Sequence, residues 1–295
     1  MSFISLDIGE VVDGGYRFGR SQTLFRGSAP DLSQPFVAVI GGAETYGPYV
    51  DLPYPALLDQ ELPLQVLNLG CQGGGPSFVL RDPILLEACN RAEAVVLSVS
   101  HAWAVTNRLF TVGHTQNTAL HEVSEQLAVM FPDVDLDPFE HVRPMLHALA
   151  QSNPENFQVL QIELREAWLA RMRDLVERIE APVVLFAMGD DQMEVGGFDA
   201  NIPRIGPELI TPAMLSRLST YVASVVIYPA DKLDQCLDGS DRLAEGEDVK
   251  RAVLFPGETM HVAAAERLYP VLKALLQARS TPAPNKGKLR SLLGL

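Results

Sequence analysis

The sequence predicts an α/β protein, a three-layer α/β/α sandwich around a five-stranded parallel sheet with a helical insertion after the third strand. Two observations carry that expectation. Apolar runs without polar alternation recur along the chain, as strands covered on both faces require, and helical patterns separate them, as crossovers between parallel strands require. The first run, Phe36 to Ile40, breaks into Gly41-Gly42-Ala43-Glu44-Thr45-Tyr46-Gly47. In such a fold this turn delivers side chains to the carboxyl edge of the sheet, where ligands bind.

Taken in order, residues 1–35 read as an N-terminal arm, because Gly14-Gly15, Arg26-Gly27 and prolines break any period. After the first strand, Pro53-Tyr54-Pro55-Ala56-Leu57-Leu58 opens a short helix with proline where a first turn tolerates it. Val66–Leu69 is the second strand, residues 77–91 a helix and Ala94–Val99 the third strand. The interval 100–152 is irregular and helical, long enough for a lid or cap. Beyond Asn153-Pro154, the residues Leu160, Leu164, Trp168, Met172, Leu175 and Ile179 recur at three- and four-residue spacing, the stripe of a core helix. Pro182–Met188 is the fourth strand, a helix begins near Thr211-Pro212, and Tyr221–Tyr228 is the fifth strand. Residues 231–248 form an acidic, solvated excursion without the ligand spacing of a calcium loop. Val262–Ala278 closes a domain spanning 36–279, and 280–295 is a flexible basic tail.

Composition narrows the function classes. With 295 residues, 47% of them hydrophobic, the chain fills a full core. A formal charge of -14 repels phosphate backbones and anionic lipid, so neither nucleic acid nor membrane is an expected partner. The three cysteines, Cys71, Cys89 and Cys236, form no CxxC pair, and the amino terminus has no basic, apolar leader, which together read as cytoplasmic. His114, His121, His141 and His147 lack metal-ligand spacing, so no metal is expected. Gly42 to Gly47 has the frame of a phosphate loop, but Pro48 and Tyr49 stand where Lys and Ser/Thr would hold phosphate and magnesium. No Gly-x-Gly-x-x-Gly follows the first strand either, so no nucleotide cofactor is expected.

Ile40-Gly41-Gly42-Ala43-Glu44-Thr45-Tyr46-Gly47 resembles the Gly-Asp-Ser-x-Thr-x-Gly block that opens the SGNH (GDSL-like) hydrolases, whose fold is flavodoxin-like. Asn68-Leu69-Gly70-Cys71-Gln72-Gly73 is similar to their second block, in which a glycine amide donates to the oxyanion. Glu258-Thr259-Met260-His261 is similar to their closing Asp-x-x-His. The resemblance covers residues 36–278. It implies His261 as general base oriented by Glu258, with amides near Ala43 and Gly73, plus Asn107, as an oxyanion site. The third block, Gly-x-Asn-Asp, is not cleanly present, and Asn107 is the nearest donor. The opening turn, with the helix and strand end after it, also looks like an uncharacterised bacterial domain family, taken as a divergent SGNH branch.

The departures decide the chemistry. Ala43 stands at the nucleophile position and has no group that attacks a carbonyl, and Gly42 replaces the preceding aspartate. Thr45 reads as a helix cap rather than a substitute nucleophile. Glu44 reads as a helix-start acid complementing the dipole or as a base on water or a substrate hydroxyl. His101 reads as a pocket histidine or a satisfied polar residue. Arg108 reads as a fork for an anion or the partner of a nearby acid. Two functions follow. One is an ester hydrolase or O-acyl transferase with a non-standard nucleophile. The other is an inactive binding or scaffold protein. Either takes a small-molecule or carbohydrate-like ligand, with a homo-oligomer left open.

Overall fold

The computed structural model describes residues 6–190, 198, 206–230, 242–246 and 248–280. Within residues 1–35, expected as an arm rather than a layer of the core, lies an antiparallel sheet of β1 (Ile8–Val12), β2 (Gly15–Phe18) and β3 (Phe25–Arg26). Asp13-Gly14 is the two-residue turn between β1 and β2, with Gly14 at φ +71° as a tight hairpin requires. Tyr16, Phe18 and Phe25 are buried with ring centroids 5.3–6.0 Å apart, and they join the main core. The glycines that break the period are therefore hairpin punctuation.

Among the described residues the central sheet has five parallel strands. They are β4 (Phe36–Gly41), β5 (Gln65–Gly70), β6 (Ala94–Ser98), β9 (Val183–Asp190) and β10 (Ser224–Ala230), all within a few residues of the predicted ones. Between β4 and β5 lie α1 (Ala43–Tyr46) and α2 (Tyr54–Glu61). The strand order is β10-β9-β6-β4-β5, so the chain steps outward in one direction from β4 to β5 and in the other from β4 to β6. That reversal is the switch point at which open α/β sheets bind ligands.

Alternate residues along the strands feed two cores. Val37, Val39, Val96, Val184 and Phe186 pack with α2 and with α10 (Glu258–Ser280), whereas Ala38, Ile40, Val95, Leu97 and Leu185 face the other layer. That layer contains α3 (Pro76–Arg81), α4 (Pro83–Arg91) and the long α7 (Pro154–Arg178). Leu160, Leu164, Trp168, Met172 and Leu175 of α7 are all buried, as their spacing predicts, and Asn153 caps the helix by accepting from the Asn156 amide. The helix expected over 77–91 is two helices, because Pro83 cannot supply an amide and Asp82 turns the chain. Asp82 Oδ1 accepts from the Ile84 and Leu85 amides at 3.0 and 3.2 Å, and Ser21 donates to Oδ2 at 2.6 Å.

The interval 100–152 is less helical than expected. It opens with a hairpin of β7 (Phe110–Val112) and β8 (Leu120–Val123), followed by α5 (Glu125–Met130) and α6 (Val142–Ser152). Thr211 caps α8 (Pro212–Leu218), and α9 (Asp248–Ala252) leads into α10. Most of the acidic 231–248 stretch, and the tail from 281 on, lie outside the described residues.

Replacing Asp82 by alanine removes the α4 cap and the Ser21 tie. It is expected to lower unfolding free energy by about 1–2 kcal/mol, read in urea as a lower midpoint at unchanged slope.

Candidate functional site

Close backbone approaches set the turn after β4. A side chain at Gly41 would meet Thr45 Oγ1 at 2.0 Å, and one at Gly70 would meet the Tyr46 amide nitrogen at 2.4 Å, so only glycine lets α1 lie against the end of β5. Asn68 fastens the pair, its Nδ2 donating to the Thr45 carbonyl at 3.0 Å and its Oδ1 accepting from the Gly70 amide. Thr45 is not a cap: Gly42 holds that position, and the buried Thr45 hydroxyl lies 2.8 Å from the Tyr54 hydroxyl. Ala43 and Glu44 are thereby presented at the switch point.

A cavity of about 100 Å³ opens there. Its walls are Gly42–Glu44 after β4, Gly73 and Gly74 after β5, and Val99–His101 after β6, closed by Thr118, Pro207 and the loop Leu254–Pro256. Of the predicted site residues, Ala43, Glu44, Gly73 and His101 meet in this one space. The amides of Ala43 and Gly73 find no acceptor among the described residues. Glu44 Oε1 accepts from the Gly42 amide at 2.8 Å and from Ser98 Oγ at 2.9 Å, which fixes the carboxylate and leaves Oε2 without a described partner.

The loop ahead of α10 reaches the same cavity, but the predicted dyad does not form in it. His261 is 0% exposed and stacks on Tyr54, with centroids 6.0 Å apart and an 18° tilt. Its Nδ1 accepts from the Tyr54 amide at 3.2 Å, and its Nε2 has no partner among the described residues. Burial, then the positive charges of Arg26 and Arg242, hold its pKa down at about 3. Glu258 is exposed, and no hydrogen bond or ion pair joins it to His261. The imidazole thus stands where the Glu258 carboxylate does not reach, its orienting bond made instead by the first amide of α2.

Asn107 and Arg108 lie outside the cavity, in a separate shallow depression. Asn107 Oδ1 accepts from the Leu109 and Phe110 amides and so shapes the approach to β7. Arg108 pairs with Glu163, Nε to Oε2 at 3.0 Å, the ion-pair reading rather than the anion fork.

Sequence reasoning missed the supports behind His101. Glu208, 3% exposed, accepts from Trp103 Nε1 at 2.9 Å and from Arg143 Nε and Nη2 at 3.0–3.2 Å. The Glu208 amide donates to His101 Nδ1 at 3.1 Å, and Trp103 stacks on the imidazole at 4.4 Å. Burial holds the His101 pKa below its ordinary value against the raising pull of Glu208 and Glu44. Asn117 was missed too. Its amide donates to the Gly73 carbonyl at 2.7 Å, so the β7–β8 hairpin tip holds the glycine turn. No local signal marks these residues, since their partners come from distant segments. Among the described residues no group of His, Cys, Asp and Glu is arranged to hold a metal ion, and no helix is long and apolar enough to cross a membrane.

Sheet order and cavity define a doubly wound α/β protein with a cavity at its switch point. The chain belongs to the family described as Domain of unknown function (DUF6473), which matches residues 1–276. No curated protein matches the sequence at a significant level. Solved structures similar to it include a two-domain esterase active on acetylated mannans, co-crystallised with mannopentaose, at 13% identity and TM-score 0.38, covering 85% of this chain and 52% of that one. A carbohydrate esterase whose active site displays divergent catalytic and non-catalytic binding functions matches at 10% identity and TM-score 0.41, covering 87% and 70%. An extracellular lipase from Streptomyces rimosus matches at 12% and 0.41, covering 82% and 99%. The chain spans about half the length of the first of these.

Two outcomes test this geometry. Gly70→Ala is expected to destabilise the fold by about 1–3 kcal/mol, because the new methyl displaces α1, measured by denaturant unfolding. For His261 the folded pKa is lowered, so below its ordinary 6.5 the unfolded chain binds a proton that the folded chain refuses. Stability attributable to it is therefore intact above 6.5 and falls as pH drops toward 3, with a slope of up to about 1.4 kcal/mol per pH unit. His261→Gln should flatten the stability profile over that window, whereas an NMR titration showing His261 protonating near 6.5 would contradict the burial.

Proposed function

We propose that this chain is a divergent SGNH-like protein that binds a small acyl or carbohydrate-like ligand at the carboxyl edge of its sheet without hydrolysing it. One observation supports the reading. Ala43, which the SGNH resemblance aligns with the nucleophile, lines the cavity, while His261, which it aligns with the base, is buried with Nδ1 committed to the Tyr54 amide. Ester hydrolysis by the serine route needs a nucleophile in hydrogen-bond reach of an oriented base, and neither half of that pair faces the ligand space.

What the cavity does offer is recognition. The unspent amides of Ala43 and Gly73 suit a carbonyl oxygen, and Glu44, Ser100, His101 and Thr118 suit hydroxyl groups. The amides would also lower the energy of an oxyanion, but with no attacking group they act on the ground state alone. Cys71 and Cys89 are free thiols, which supports a reducing, cytoplasmic setting.

Thermal unfolding in the presence of neutral monosaccharides and their O-acetyl esters is the test. At least one should raise Tm in a concentration-dependent way, with the shift lost in Glu44→Gln. Acetyl and longer acyl esters should show turnover at the blank rate for the wild type. The same holds for Ala43→Ser, because the restored hydroxyl still lacks a base. Wild-type turnover abolished by His261→Gln would overturn the binding reading in favour of an enzyme with a non-standard nucleophile.

A further inference from the structure

Besides the unspent amides of Ala43 and Gly73, two side chains of the cavity wall, Glu44 and His101, each keep a polar atom without a partner among the described residues, and the two atoms are of opposite hydrogen-bonding type. Glu44 Oε1 is committed to the Gly42 amide and the Ser98 hydroxyl, so the carboxylate is fixed and Oε2 is an open acceptor. His101 Nδ1 accepts from the Glu208 amide, an N–H that can only donate. Nδ1 therefore carries no proton, and the neutral ring must carry its proton on Nε2, for which the described residues offer no hydrogen-bond acceptor. His101 is thus held as a donor, and it lines the same cavity as Glu44.

Resting on the binding function proposed above, we infer that Glu44 and His101 grip one hydroxyl group of a neutral polyol, the hydroxyl donating to Glu44 Oε2 and accepting from His101 Nε2–H. A hydroxyl is the group that satisfies both at once, because it carries one donor and two acceptor lone pairs. A carboxylate or phosphate in that position leaves the Glu44 acceptor facing another acceptor and a like charge. The pair therefore selects neutral sugars over their acidic counterparts.

Arg143, Glu208 and Trp103 act through His101 as positioning residues. Arg143 and Trp103 satisfy the buried Glu208 carboxylate, the Glu208 backbone sets the imidazole tautomer, and Trp103 fixes its plane. Burial keeps the ring neutral; of the charged groups that bear on it, Glu208 and Glu44 pull toward protonation and Arg143 away from it.

The experiment has two arms on the full chain. Long-range nitrogen–proton NMR of the histidine side chains should give His101 the Nε2–H tautomer at neutral pH. A proton on Nδ1 overturns the inference whichever sugars bind. In the second arm, glucose and glucuronate are compared as probes by thermal shift and titration calorimetry. Glucose is expected to bind and glucuronate to bind at least tenfold more weakly. His101→Gln, whose amide nitrogen stands near the Nε2 position, should keep most of the glucose affinity, and His101→Asn should lose it by tenfold or more. Equal loss in both variants, or glucuronate binding as well as glucose, overturns the grip. An Nε2–H tautomer with neither probe nor any other neutral sugar bound overturns the binding function itself and the inference with it.

Discussion

The site depends on how closely two backbones approach at the end of β5. Only hydrogen on Gly70 lets the Tyr46 amide come so near, and Asn68 then hooks the Thr45 carbonyl to the strand. A helix of four residues has no independent stability. The short α1 exists because strand ends, Tyr54 and Asn68 hold it, and it carries both Ala43 and Glu44. Whatever binds in the cavity meets a surface whose rigidity comes from the sheet rather than from the loop.

The same packing that builds the turn buries His261. Tyr54 spends its hydroxyl on Thr45, its ring on His261 and its amide on His261 Nδ1, so one residue at the start of α2 links the turn to α10. A neutral imidazole is suited to this: it accepts from an amide that α2 leaves without an intrahelical partner, and a protonated one would lose that bond beside Arg26 and Arg242. His261 therefore contributes to the fold as a neutral imidazole that accepts from the Tyr54 amide.

The five central strands were legible because burial on both faces leaves an unbroken apolar run, and α7 because its stripe holds from Leu160 to Leu175. The cavity's position followed from Gly41-Gly42 at a strand end. The hairpin at Asp13-Gly14 had a readable signal, an Asp-Gly pair between short β-prone stretches, but the surrounding glycines masked it. Spacing alone could not reveal that Glu258 and His261 part company. Three residues on a helix put two side chains near one face, yet which of them packs inward depends on Tyr54, 207 residues away in sequence. Arg108 and Asn107 likewise had correct chemistry in the wrong place, because the chain turns into β7 before it reaches the cavity.

Glu208 shows where stability and function separate in this molecule. Desolvating a carboxylate is costly, and its ion pair with Arg143 offsets that cost only because Trp103 and the bidentate guanidinium satisfy both oxygens. An apolar group of the same volume at Glu208, with Arg143 also replaced, would serve the core as well. The polar arrangement does something an apolar one would not: it ties the loop after β6 to residues 206–210, where Leu209 adopts a left-handed φ of +63° that non-glycine residues rarely hold. In the same segment the Glu208 amide donates to His101 Nδ1 at 3.1 Å. The expensive pair is thus accounted for by the orientation of a single imidazole at the mouth of the cavity, a role that a stability measurement alone would not reveal.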